Sequence, residues 1–127
     1  MSVSSRLGAR ATLGRSSEDL ACRMLRSRGY RIVERNVRVA GAEIDIVARI
    51  RGVTVFIEVR SRTNQDRGSA LATIGREKRS RLVRAAAGYL AREGLSDTPV
   101  RFDAVGVDWR EGSPSMTLVR SAFDSGD

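Results

Sequence analysis

The 127-residue sequence contains no histidine. That excludes histidine-activated serine or cysteine nucleophiles and histidine-bound metals. The single cysteine, Cys22, excludes an internal disulfide and a cysteine zinc site. It falls within a helical apolar stripe and reads as a small packed hydrophobe. Lysine occurs once, at Lys78, against 22 arginines. Aromatic residues make up 5% of the chain, which argues against a surface that stacks unpaired bases. Apolar runs are a handful of residues long, too short to span a bilayer. Acid–base or metal chemistry is therefore left to carboxylates, lysine and arginine.

Hydrophobic residues make up 41% of the chain, enough for one globular domain with a modest core. The formal net charge is +8. It is concentrated in residues 1–38 and 60–92, whereas residues 93–127 are net acidic. A basic surface of this kind suits a polyanion, with nucleic acid the leading candidate. Residues 1–12, rich in Ser and Arg, read as a disordered basic tail. Residues 13–123 read as the single domain and 124–127 as a second tail. The expected location is the cytoplasm.

A helix is expected from Ser16, with Ser16 or Ser17 as its cap and Glu18 and Asp19 favouring its positive end. Leu20, Ala21, Met24 and Leu25 form its apolar stripe, and Gly29 ends it. Tyr30–Val39 reads as a strand. A second helical region runs from Ser69 to Glu93, with a break at Gly75. Its Leu82, Ala86, Tyr89 and Leu90 share one face. Lys78, Arg81, Arg84 and Arg92 lie on an adjoining arc suited to a phosphate backbone. A strand then opens after Pro99, and Met116–Val119 reads as a last edge strand, with Gly112–Ser115 as the turn before it. The order predicts an α/β fold with a mixed sheet flanked by helices.

The stretch Gly41–Arg62 carries the chemistry. It reads as a β-hairpin turning at Arg51-Gly52, although Arg is not the favoured residue there. Alternation puts Ile44, Ile46 and Ala48 on one side and Glu43, Asp45 and Val47 on the other. Pairing Ile50 with Val53 sets Asp45 opposite Glu58 and Glu43 opposite Arg60. Two opposed carboxylates repel, and a divalent cation such as Mg²⁺ would compensate them. From its own chemistry Glu18 reads only as a helix-end charge.

Asp45, twelve intervening residues and then Glu58-Val59-Arg60 resemble the PD-(D/E)XK nuclease signature. More narrowly, LGRSSEDLACRMLRSRGYRIVERN (Leu13–Asn36), EIDIVA (Glu43–Ala48), FIEVRSR (Phe56–Arg62), Lys78 and RFDAVGV (Arg101–Val107) resemble successive motifs of the YraN family. Those small bacterial proteins are regarded as relatives of archaeal Holliday-junction resolvases. The resemblance implies a restriction-endonuclease-like fold in αβββαβ order and an endonuclease acting on DNA, branched DNA included, with Mg²⁺ or Mn²⁺. It implies Asp45, Glu58 and the carbonyl of Val59 as metal ligands, with Glu18 in support. By analogy it also implies a homodimer. Lys78, Arg81 and Arg84 would hold nucleic acid.

Three residues depart from the family pattern. Ser17 and Ala42 replace usual glycines, and Arg60 replaces the catalytic lysine. Arginine can stabilise charge on a phosphate but cannot give up a proton to activate water. The alternative reading is therefore a protein that binds nucleic acid without cutting it.

Overall fold

Three chain reversals give the sheet its form. Ala40-Gly41, Arg51-Gly52 and Glu111-Gly112 each place two successive residues at positive φ. That is the requirement of the tight hairpin turn whose twist matches its strands, and glycine takes the second position each time. The computed structural model describes residues 3–63 and 74–124, with side chains from residue 14 onward. Its elements are α1 (Val3–Ser27), β1 (Arg31–Val39), β2 (Ala42–Ile50), β3 (Val53–Arg62), α2 (Arg76–Arg92), β4 (Val100–Arg110) and β5 (Ser113–Phe123). The strands lie side by side in chain order. All neighbours are antiparallel except β3 and β4, which run parallel across the α2 connection. This mixed sheet with two helices is the α/β arrangement expected from the element order, and it agrees with the restriction-endonuclease-like fold that the resemblance implies.

Several boundaries differ from the sequence reading. Residues 3–12, read as a tail, form the first turns of α1. Ser16 and Ser17 therefore lie inside that helix and do not cap it. The helix α2 starts after Gly75, and residues 69–73 of the expected helical region lie outside the described residues. The strand β5 is longer than Met116–Val119, because the turn is Glu111-Gly112 and Ser113 already pairs with Arg110. Of the expected tail at 124–127, only Asp124 is described.

Each sheet face carries its own core. Ala21, Cys22 and Leu25 of α1 pack on Ile46, Ala48, Val55, Ile57, Val105 and Val107. On the other face Leu82, Ala85, Ala86, Tyr89 and Leu90 of α2 pack on Val37, Ile44, Val47, Phe56 and Phe102. The apolar stripes anticipated on both helices are the buried ones. Cys22 is buried and unbridged, as a packed hydrophobe should be. The helix α2 comes close to β1 at Gly88, where a Cβ would come within 2.7 Å of Val39 Cγ1. Only glycine leaves the helix that near to β1.

The two cores also show where alternation fails. Ile44 packs with Val47 on the α2 face, while Ile46 and Ala48 face α1. Strict alternation would have put Ile44 with Ile46, as the sequence reading did. The pleat is therefore reset between Ile44 and Ile46, at Asp45. In the neighbouring strand Val37 faces α2, whereas Arg35 reaches Asp19 on α1. Between them Asn36 has φ +54°, a left-handed conformation that asparagine tolerates better than most residues. Two facing irregularities thus fall at the sheet position of Asp45.

A second polar cluster ties the β4–β5 end together. Asp103 is fully buried. It accepts from Tyr30 Oη at 2.7 Å, from Arg101 Nε at 2.8 Å and Nη2 at 2.9 Å, and from the Ser121 amide at 3.0 Å. The register between β4 and β5 shifts between Phe102 and Ala104, and Ser121 there has positive φ. The RFD motif is thus a structural lock on an irregular strand pair.

Candidate metal and phosphate site

The ladder between β2 and β3 follows the expected register from Ile50↔Val53 to Ile46↔Ile57. Beyond that pair the recorded pairing stops. Asp45 turns its carboxylate to the backbone of the facing strand and accepts the Val59 amide at 2.8 Å. The expectation concerned the Val59 carbonyl as a ligand; the contact seen is through its N–H. Glu43 does not face Arg60. It pairs with Arg38 of β1 at 3.6 Å, and Arg60 lies beside Gly106 of β4.

Asp45, Glu58, Val59, Arg60, Ser61, Arg62 and Lys78 line an open polar cleft of about 480 Å³. Glu58 is almost fully buried, and Lys78 reaches it from the first turn of α2, with Nζ 2.7 Å from Oε1. Asp45 is half-buried. Its carboxyl is pushed up to about 8, by burial first and by the charge of Glu58 second, while the Val59 amide and Lys78 pull it down. Arg60 makes no ion pair among the described residues. The cleft therefore holds two acids and three cations, with the Lys78 ammonium committed to Glu58.

Glu18 stands on the α1 side, 3.6 Å from Arg35. Burial raises its pKa, while Arg35 and a hydrogen bond with Asn36 oppose the rise. Its field is felt at Asp45. Among the described residues, however, no three acidic or cysteine side chains gather closely enough to form a metal cluster. A hard divalent ion at Asp45 and Glu58 would be completed by backbone oxygen, water and substrate phosphate, with Glu18 acting through water. Mg²⁺ accepts such a set, since it keeps several waters and binds through one or two carboxylates.

Other residues around the site went unanticipated as contributors. Asn36 shapes the strand opposite Asp45 and bonds Glu18; an asparagine between β-branched and basic residues was its signal. Ser17 is fully buried, accepts Trp109 Nε1 at 2.9 Å and donates to Ser61 Oγ at 3.0 Å. That bridge fixes α1 against β3 and β4 one residue before Glu18. The departure from glycine at Ser17 thus has a structural use. Of the basic arc on α2, Arg81 and Arg84 are exposed. Arg92 is instead engaged by Glu34 and Glu93 and stacks over Tyr89. No helix among the described residues is long and apolar enough to cross a membrane.

The profile of the uncharacterised protein family UPF0102 matches residues 17–107. That range includes Glu18, Asp45, Glu58, Arg60 and Lys78. A UPF0102 protein of Anaeromyxobacter sp. (strain Fw109-5) is 39% identical over 117 residues, covering 92% of this chain and 88% of the relative. A UPF0102 protein of Desulfosudis oleivorans is 39% identical over 119 residues, 94% of this chain and 95% of the relative. One from Hahella chejuensis is 44% identical over 93 residues, 73% and 75% of the two chains. With a profile match across most of its length and relatives aligned nearly end to end, the chain belongs to the UPF0102 (YraN) family.

Proposed function

We propose that this protein is a Mg²⁺- or Mn²⁺-dependent endonuclease that cuts DNA, with branched DNA the first substrate class to test. The observation that carries the reading is the pair of carboxylates, Asp45 and Glu58, sharing one open cleft with Arg60, Arg62 and Lys78. Like charges so close are costly unless the site has work for them. A divalent ion held there would supply Lewis acidity and an acidified water. The Val59 amide aims the Asp45 carboxylate toward that position. Arg60 offers a guanidinium fork to the nucleic-acid backbone passing through the cleft. Arg81 and Arg84, exposed on α2, follow the flanking backbone, and the N-terminal arginines add non-specific attraction. A homodimer would offer two such clefts to the arms of a junction.

The test is cleavage of branched, flapped and linear DNA in Mg²⁺ or Mn²⁺ by the wild-type protein and by Glu58→Ala. Cleavage by the first and at least ~100-fold slower cleavage by the second is expected. No cleavage of any substrate, or equal rates, would sink the nuclease reading. Arg60 favours one second reading, a DNA-binding protein that does not cut, because guanidinium cannot accept a proton from water. Its signature is salt-sensitive binding whose affinity ignores Mg²⁺.

A further inference from the structure

We infer that Lys78, rather than Arg60, is the cation that meets the reacting phosphate, and that the position requires lysine. The inference rests on the nuclease reading above.

Geometry is the first support. The Lys78 ammonium touches Glu58 Oε1 at 2.7 Å, yet its side chain remains 36% exposed beside a Glu58 that is 4% exposed. An ammonium has three donors. One is used on the buried carboxylate, and the residue lines the same cleft as Arg60 and Arg62. Lys78 is therefore joined to a proposed metal ligand and open to substrate at once. Arg60 lines the same cleft without touching either carboxylate.

Shape is the second. The ammonium makes its closest contact with Oε1 of Glu58. A guanidinium in the same place would take both oxygens in a planar fork. It would cover the edge of Glu58 that a divalent cation needs. A compact ammonium has no such fork to lay across it.

Composition is the third. Of 23 basic residues, 22 are arginine. Three basic residues line the cleft, and the chain's one lysine is among them. A chain that uses arginine at every other basic position has kept an ammonium where a fork would obstruct the site.

During hydrolysis a water oxygen bonds phosphorus and the bond from phosphorus to the leaving sugar oxygen breaks. The attacking water loses one proton to solvent, and the leaving oxygen takes one from solvent. Lys78 transfers none; it donates hydrogen bonds to the non-bridging oxygen on which charge grows.

The test uses full-length protein with Lys78→Met, Lys78→Arg and Arg60→Met. Each is measured for Mn²⁺ binding by calorimetry, for single-turnover cleavage of the DNA that the wild type cuts best, and for thermal unfolding. Lys78→Met should keep Mn²⁺ affinity within about threefold and lose about 100-fold or more in rate with little change in substrate affinity. Lys78→Arg should lose as much rate and also bind Mn²⁺ about 10-fold more weakly, although its charge is unchanged. Arg60→Met should lose less rate than either. Cleavage by Lys78→Arg within about threefold of wild type, or a larger loss in Arg60→Met than in Lys78→Met, overturns the inference while leaving the nuclease reading intact. A wild type that neither binds Mn²⁺ nor cuts DNA overturns both.

Discussion

Two buried acidic clusters in this small sheet are built to opposite rules. At the β4–β5 end, one carboxylate, Asp103, receives four hydrogen bonds, two of them from a single guanidinium. Its charge is matched and its lone pairs are filled. At the splayed end of the β2–β3 hairpin, two carboxylates share one backbone amide and one ammonium. There each acid has a single committed donor, and Asp45 resists ionisation, through burial first and the charge of Glu58 second. An acid that holds a fold together is saturated by its surroundings. An acid kept for a ligand retains coordination capacity and bears the repulsion.

The contrast is sharpest in stability. Asp103→Ala strips the partner from Arg101 and leaves the Tyr30 hydroxyl and a backbone amide unmet. It should cost about 3 kcal/mol in urea unfolding. The opposite response is expected at the cleft on adding a cation. At pH 8.5, Mn²⁺ at 100 times its dissociation constant should stabilise the wild type by about 2.7 kcal/mol. The Asp45→Asn, Glu58→Gln double variant should show no such gain in the same thermal melt.

Asp45→Asn alone should stabilise the metal-free protein, and the effect has a pH signature. A carboxyl raised from 3.8 to about 8 by folding binds a proton more tightly in the native state across that interval. Its contribution is most favourable below pH 4 and is lost as pH rises through 8. The variant's advantage, on the order of 1–2 kcal/mol after allowance for solvent screening, should therefore be seen at pH 9 and be absent at pH 3. An advantage at pH 3 as large as at pH 9 would mean that the carboxylate charge is not the source. The smallest effect belongs to Tyr30→Phe, which removes one of four bonds to Asp103 and should cost about 1 kcal/mol. A cost near that of Asp103→Ala would show that the cluster acts as an indivisible unit.

Much of this architecture was legible in residue order because local rules governed it. Period-two alternation and a glycine turn were enough to set the β2–β3 register as far as Ile46↔Ile57. Helical periodicity was enough to choose the buried face of α2. The rules failed where a long-range partner overrode them. Ile44 changed faces because the pleat is reset at Asp45, opposite a left-handed Asn36. Neither strand's composition alone announces that reset. Asp103 and Tyr30 are 73 positions apart, so their bond has no periodic trace. The reach of Lys78 to Glu58 depends on how α2 lies across the sheet, which a helical wheel does not contain. The start of α1 was missed because its first turns are polar and basic and offer no apolar stripe. For the site, residue types and spacing were enough to nominate Asp45 and Glu58. The role of Ser17 needed the fold.

The close approach at Gly88 has a mechanical consequence. Gly88 rests against Val39 near the far end of α2, ten residues along the helix from Lys78, or about 15 Å. Between the two points Leu82 and Ala85 seat the same helix on the sheet, so a displacement at one end is resisted along its length. The side chain missing at Gly88 thus lets the helix that carries Lys78 lie close against β1. A bulkier residue at position 88 would push on the very helix that brings the ammonium to the cleft.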